Sequence, residues 1–148
     1  MANSDEADAL LVLIVDDEPM VLTATRIVLK SAGFRVITAD RGEKGMELAI
    51  AERPDAILLD VMMPDVDGWE ILGRLRNHPV TENVPVLMFT AREHTRGGKL
   101  ARDLGAAAYI RKPFDAEDLI NTVRLHASGA YARQAADAEA AHERGPKA

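Results

Sequence analysis

Five polar side chains stand where apolar runs stop. Asp16 and Asp17 follow residues 10–15, Asp60 follows 56–59, Thr90 ends 84–90, and Lys112 follows 106–110. Each has an ordinary explanation by itself: an acidic pair can cap a helix, a strand-end threonine can bond its own backbone, and a lone lysine is usually solvated. Gathered in one place they would do chemistry. Two carboxylates about 4 Å apart repel by about 4 kcal/mol at an effective dielectric of about 20. Three clustered aspartates therefore need a cation or must hold a proton. Cysteine is absent, and His78, His94, His126 and His142 are scattered without ligand spacing. The donors are then all oxygen, which suits Mg²⁺ or Mn²⁺ over zinc. A carboxylate beside a divalent cation, a lysine and a hydroxyl is a set for phosphoryl transfer, with the aspartate as nucleophile.

The elements that must position these groups can be read from the apolar pattern. Residues 55–68, Asp-Ala-Ile-Leu-Leu-Asp-Val-Met-Met-Pro-Asp-Val-Asp-Gly, hold a short apolar run that ends at Asp60 and passes into turn residues. Such a run reads as a strand buried on both faces. Residues 10–15 read as the first strand. Pro19 suits the first turn of a helix, with Asp17 or Glu18 as its acidic start. Val21, Leu22, Thr25, Val28, Leu29 and Ala32 form that helix's core-facing stripe, and Gly33 ends it. Residues 34–39 are a shorter, more alternating strand, expected at an edge. A helix of about ten residues follows Gly42 and turns Met46, Leu48, Ala49 and Ile50 inward until Pro54. Another runs over 69–76.

Residues 84–90 are the fourth strand and 91–104 a helix weakened by Gly97 and Gly98, each costing roughly 1 kcal/mol against alanine. Residues 106–110 are the fifth strand, and Asp115 caps a last helix with Leu119, Ile120 and Val123 inward. Five strand–helix pairs in alternation predict an α/β doubly wound parallel sheet with helices on both faces. Strand carboxyl ends then share one edge, where such sheets bind their ligands.

Bulk properties bound the function. The 148 residues suffice for one domain, and net charge is −6. Residues 1–9 are acidic and expected to be disordered, and residues 127–148 are alanine-rich with balanced charge, expected as a helical extension or tail. No basic face points to nucleic acid. No apolar run approaches the ~18 residues that span a bilayer, and no leader is visible, so the expectation is a cytoplasmic protein without membrane contact.

The motifs Val-Asp-Asp-Glu-Pro19, Leu-Leu-Asp-Val-Met-Met-Pro-Asp-Val-Asp-Gly68, Phe-Thr-Ala-Arg92 and Tyr-Ile-Arg-Lys-Pro-Phe114 together resemble the bacterial response-regulator receiver domain of two-component signalling, over about residues 10–126. The resemblance is to the stand-alone, chemotaxis-regulator-like type. It implies a flavodoxin-like (βα)₅ fold with strand order 2-1-3-4-5. Asp60 would be the phosphorylated aspartate, fed by a sensor histidine kinase or a histidine phosphotransfer protein. Asp17 would bind Mg²⁺ directly, Asp16 mainly through water, and Met62 through its backbone carbonyl alone. Lys112 would bind phosphoryl oxygens, and the Lys112–Pro113 bond would be cis. Thr90 and Tyr109 would be the switch, reshaping the face of the fourth helix, fifth strand and fifth helix for an unknown downstream protein. The mobile start that Gly97 and Gly98 give the fourth helix would ease that change.

Ala107-Ala108 replace the acidic residues that often precede the strand-five aromatic in DNA-binding members. Other readings are a receiver that is part of a longer regulator, a Mg²⁺-dependent phosphohydrolase, and a phosphorylation-independent interaction module.

Overall fold

The computed structural model describes residues 9–90 and 104–127. Five parallel strands form one sheet in the order β2-β1-β3-β4-β5. They are β1 (Leu11–Val15), β2 (Arg35–Ala39), β3 (Ala56–Asp60), β4 (Val86–Thr90) and β5 (Ala108–Arg111). Described helices are α1 (Pro19–Ser31), α2 (Gly42–Glu52), α3 (Gly68–Arg76) and α4 (Ala116–Ala127). The order and the alternation give the flavodoxin-like fold. All but the last residue of the helix read over 91–104, with Gly97 and Gly98, lies outside the described residues, as do 1–8 and 128–148.

The period of two along the strands divides the core. Leu13, Val15, Ile57, Leu59, Val86 and Met88 point to one layer, with Met46, Ala49, Ile71, Leu72 and Leu75 of α2 and α3. Val12, Ile14, Ala56, Leu58 and Leu87 point to the other, with Leu29, Leu119 and Val123 of α1 and α4. Every residue of β1, β3 and β4 is buried. That two-sided burial explains why these strands are continuous apolar runs. β2 lies at an edge and is only half covered.

Local boundaries differ from the sequence reading by a residue or two, for identifiable reasons. α2 ends before Pro54 because Arg53 takes the left-handed conformation, φ 49°, and its amide returns to Ala49. Val84 is held in a turn by Thr81, so β4 begins at Val86. β5 begins at Ala108 instead of Ala106 and continues through Arg111. The start of α1 is supported from outside the helix: Asp16 Oδ1 accepts from the Glu18 amide at 2.9 Å, and Glu18 makes no capping bond. Gly33 has φ 97°, the left-handed stop expected of it.

Candidate phosphoacceptor site

Sheet register brings the polar strand ends together. Val15 pairs with Leu59 and Asp60 with Phe89, so Asp16 and Asp60 leave adjacent strands side by side. The Lys112 amide donates to the Thr90 carbonyl at 2.6 Å, carrying the chain after β5 across the end of β4. Gly68 closes against the same strand end. Its amide donates to the Val61 carbonyl at 2.8 Å, and a Cβ there would collide with the Asp60 carbonyl oxygen.

Asp16, Asp60 and Thr90 are buried, and Asp17 is half-buried. Oxygens of Asp16, Asp17 and Asp60 lie within 4.8 Å of one another. Lys112 Nζ stands 2.5 Å from Asp16 Oδ2, 3.4 Å from Asp60 Oδ1 and 3.4 Å from Glu18 Oε1. The Phe89 ring lies under the ammonium, 5.0 Å from it. The Met62 amide is 3.4 Å from Asp60 Oδ1, and its side chain is 59% exposed. Tyr109 is half-buried against the α2–α3 side of the core. The Lys112–Pro113 bond is cis.

Charge explains the state of each group. Burial, then the charge of Asp16, push Asp60 up to about 7, and Lys112 and the Met62 amide only partly offset this. Asp16 is raised by burial, against the pull of its hydrogen bond to Lys112. Burial works to lower Lys112, but the bond to Asp16 and the charges of Asp16, Asp60 and Glu18 outweigh it and hold the ammonium on. The cluster thus carries more negative charge than one lysine neutralises. Three oxygen donors of hard character, with no sulfur or imidazole among them, fit a small divalent cation. An open cleft of about 630 Å³ lies beside Asp17 and Met62.

The receiver-domain family model, response regulator receiver domain, matches residues 12–124. The chain belongs to the response-regulator receiver family. Among curated proteins, it is 42% identical over 113 residues to the DNA-binding dual master transcriptional regulator RpaA of Synechocystis sp.. That match covers 76% of this chain and 47% of the relative, so the chain spans about half the length of the curated relatives it matches. A crystal structure of a putative response regulator from Chloroflexus aurantiacus J-10-fl is similar at 33% identity and a TM-score of 0.78, covering 82% of this chain and 99% of that one. The receiver domain of the sensor histidine kinase PA1611 from Pseudomonas aeruginosa PAO1, with a magnesium ion coordinated in its active site cleft, is 27% identical with a TM-score of 0.75, covering 81% and 98%.

Asp16, Asp17, Asp60, Thr90 and Lys112 share one strand-end edge, with Met62 at its rim and Tyr109 further back in β5, paired with Met88 of β4. Sequence reasoning missed Glu18 as a partner of Lys112 and Phe89 as the ring beneath it. Both sat inside the quoted motifs, but nothing in their types tied them to Lys112, which lies 94 positions after Glu18 and on the far side of residues 91–103 from Phe89. Of the four histidines, His78 and His126 are described and neither joins the site; His94 and His142 lie outside the described residues.

Proposed function

We propose that this receiver accepts a phosphoryl group on Asp60 in a Mg²⁺-dependent reaction. The supporting observation is a buried, strand-end carboxylate that stands 3.4 Å from a lysine and within 4.8 Å of two further carboxylates. Asp17 and Asp60 would hold the ion, with Asp16 acting mainly through water and Met62 through its carbonyl. The ion would supply positive charge to the phosphoryl oxygens. Mn²⁺ has the same ligand preferences and could substitute.

An Asp60 oxygen attacks phosphorus and the bond from phosphorus to the donor breaks. The leaving group is the imidazole nitrogen of a phosphohistidine on a kinase or phosphotransfer protein. Lys112 moves its ammonium from Asp16 toward the incoming oxygens, where its charge counts most in the transition state. The Thr90 hydroxyl then bonds the phosphoryl group and Tyr109 turns inward behind it, changing the face that includes β5 and α4 for a downstream protein partner.

The unit that does this is residues 10–126, flanked by an acidic segment over 1–9 and an alanine-rich one over 127–148. Among the described residues no helix is long and apolar enough to cross a membrane. The proposed place of action is the cytoplasm, and with a net charge of −6 the domain would contact proteins and not nucleic acid itself. Coverage of only 47% of a DNA-binding relative favours a second reading at the level of the whole protein, in which this receiver controls an output domain elsewhere in a longer chain.

Incubation with Mg²⁺ and acetyl phosphate should add one phosphoryl mass, absent in Asp60→Asn. Labelling that persists in that variant would falsify the assignment.

A further inference from the structure

The loop from β3 to α3 is held from two sides. Asp65 reaches across to α2, where Oδ1 accepts from the Gly42 amide at 3.1 Å and Oδ2 from the Glu43 amide at 3.2 Å. These are amides that a helix start leaves without intrahelical partners. The cap position of α2, Arg41, makes no side-chain bond to them, so Asp65 takes that role from 22 and 23 residues away. Gly42 permits the approach, since a Cβ there would run into Val66 Cγ1 and meet Ile71 Cγ1 at 3.1 Å.

The other side is equally fixed. Val61 bonds Phe89 through its amide and Gly68 through its carbonyl, at 3.1 and 2.8 Å. Asp67 caps α3 through the Trp69 amide at 2.8 Å. Only Met62, Met63 and Pro64 span the gap between the Val61 pin and the Asp65 pin. Proline fixes its own φ and restricts the residue before it. The direction of the Met62 carbonyl therefore depends on where the two pins stand.

We infer that Asp65 is the positioning residue for the cation side of the pocket: by anchoring the Met62–Pro64 arch to the start of α2, it holds the Met62 carbonyl in place for an ion on Asp17 and Asp60. This rests on the Mg²⁺-dependent reading of the pocket. Asp65 does not touch the ion. It converts the rigidity of α2 into the geometry of a ligand, much as outer-shell partners do at metal sites, where their loss weakens metal affinity roughly 10–100-fold.

Calorimetric titration of the intact protein with Mg²⁺ tests it. Asp65→Ala should bind Mg²⁺ roughly tenfold more weakly, yet label from acetyl phosphate at the wild-type rate once Mg²⁺ is saturating. Asp65→Asn, which keeps one acceptor oxygen, should fall between, and decides the matter if the alanine variant does not fold. Gly42→Ala should weaken binding from the other side of the clamp by displacing Val66. Glu43→Gln breaks the exposed pair with Arg74 but leaves its amide on Asp65, so affinity should stay at the wild-type value. Wild-type affinity in both Asp65 variants overturns the inference and leaves the phosphoacceptor reading standing. A wild-type protein that binds no Mg²⁺ overturns both.

Discussion

Lys112 Nζ lies closer to Asp16 than to Asp60, 2.5 Å against 3.4 Å, although Asp60 is the carboxylate at the end of the central strand. The lysine thus balances Asp16, a buried acid beside the proposed phosphoacceptor. Burial, and then the charge of Asp16, push Asp60 up to about 7, and the more distant lysine offsets this only in part. A cation bound beside it would favour the ionised form, which is the form that can attack phosphorus.

Lys112→Met removes the one cation found within ion-pair distance of Asp16 and Asp60 among the described residues. Breaking a buried pair on one side typically destabilises by about 3–5 kcal/mol. The variant should lose about 3 kcal/mol at pH 8 without divalent ions, and recover much of it in millimolar Mg²⁺. Urea unfolding with and without Mg²⁺ measures both. A loss that Mg²⁺ does not reverse would mean the lysine acts by packing against Phe89 and not by charge.

The shift on Asp60 sets a pH dependence. In the unfolded chain the group titrates near 3.8, in the fold near 7. Between those values the folded state binds the extra proton, so stability without metal falls as pH rises through that window. Below it both states are protonated and the penalty is gone. Asp60→Asn, neutral and of the same size, carries no such penalty. It should be more stable than the wild type at pH 8 by roughly 2–4 kcal/mol, with the gain vanishing near pH 4. A gain independent of pH would sink this account.

The edge that carries the site was legible because β1, β3 and β4 are buried on both faces. Their apolar runs end abruptly at Asp16, Asp60 and Thr90, and parallel alternation puts those ends together. Edge strands carry weaker signals, so β5 was read two residues too early at Ala106, which is buried but not in the ladder. The clamp from Asp65 to α2 was not legible. A turn aspartate looks the same whether it caps its own helix, as Asp67 does, or one that began 23 residues earlier. Nor did the sequence mark Gly45 as the place where α2 meets Val15 of β1, since a glycine inside a helix reads only as a weak position.

On the Mg²⁺-dependent reading of the pocket, protons and Mg²⁺ compete for Asp60. Ligand binding to the folded state alone stabilises by RT ln(1 + [L]/Kd), about 2.7 kcal/mol at 100 times Kd. The rise in Tm on adding Mg²⁺ should therefore be larger at pH 8 than at pH 5.5, and small at both in Asp60→Asn. Thermal scans of the two proteins at the two pH values suffice. An equal rise at both pH values in the wild type would place the ion away from Asp60.

Two glycines separate the needs of the fold from those of the site. At Gly45 a Cβ would sit 2.6 and 2.8 Å from the two methyls of Val15, a side-chain clash on the α2 side of the sheet. At Gly68 it would strike backbone, the Asp60 carbonyl oxygen and Val61 Cα, the latter at 2.8 Å. Overpacking typically destabilises by about 1–3 kcal/mol, and alanine returns about 1 kcal/mol of helix propensity. Gly45→Ala should therefore lose at most about 2 kcal/mol and label from acetyl phosphate like the wild type. Adding Val15→Ala should leave the double variant less destabilised than the sum of the singles, because it removes the methyls that the new Cβ would meet and that Cβ fills part of the space they leave. Gly68→Ala has no flexible neighbour to move: the strand end itself must shift, and Asp60 shifts with it. It should lose both stability and labelling, the labelling even at temperatures where circular dichroism reports a folded chain. Wild-type labelling by folded Gly68→Ala would show that the backbone under Asp60 can move without cost to the pocket.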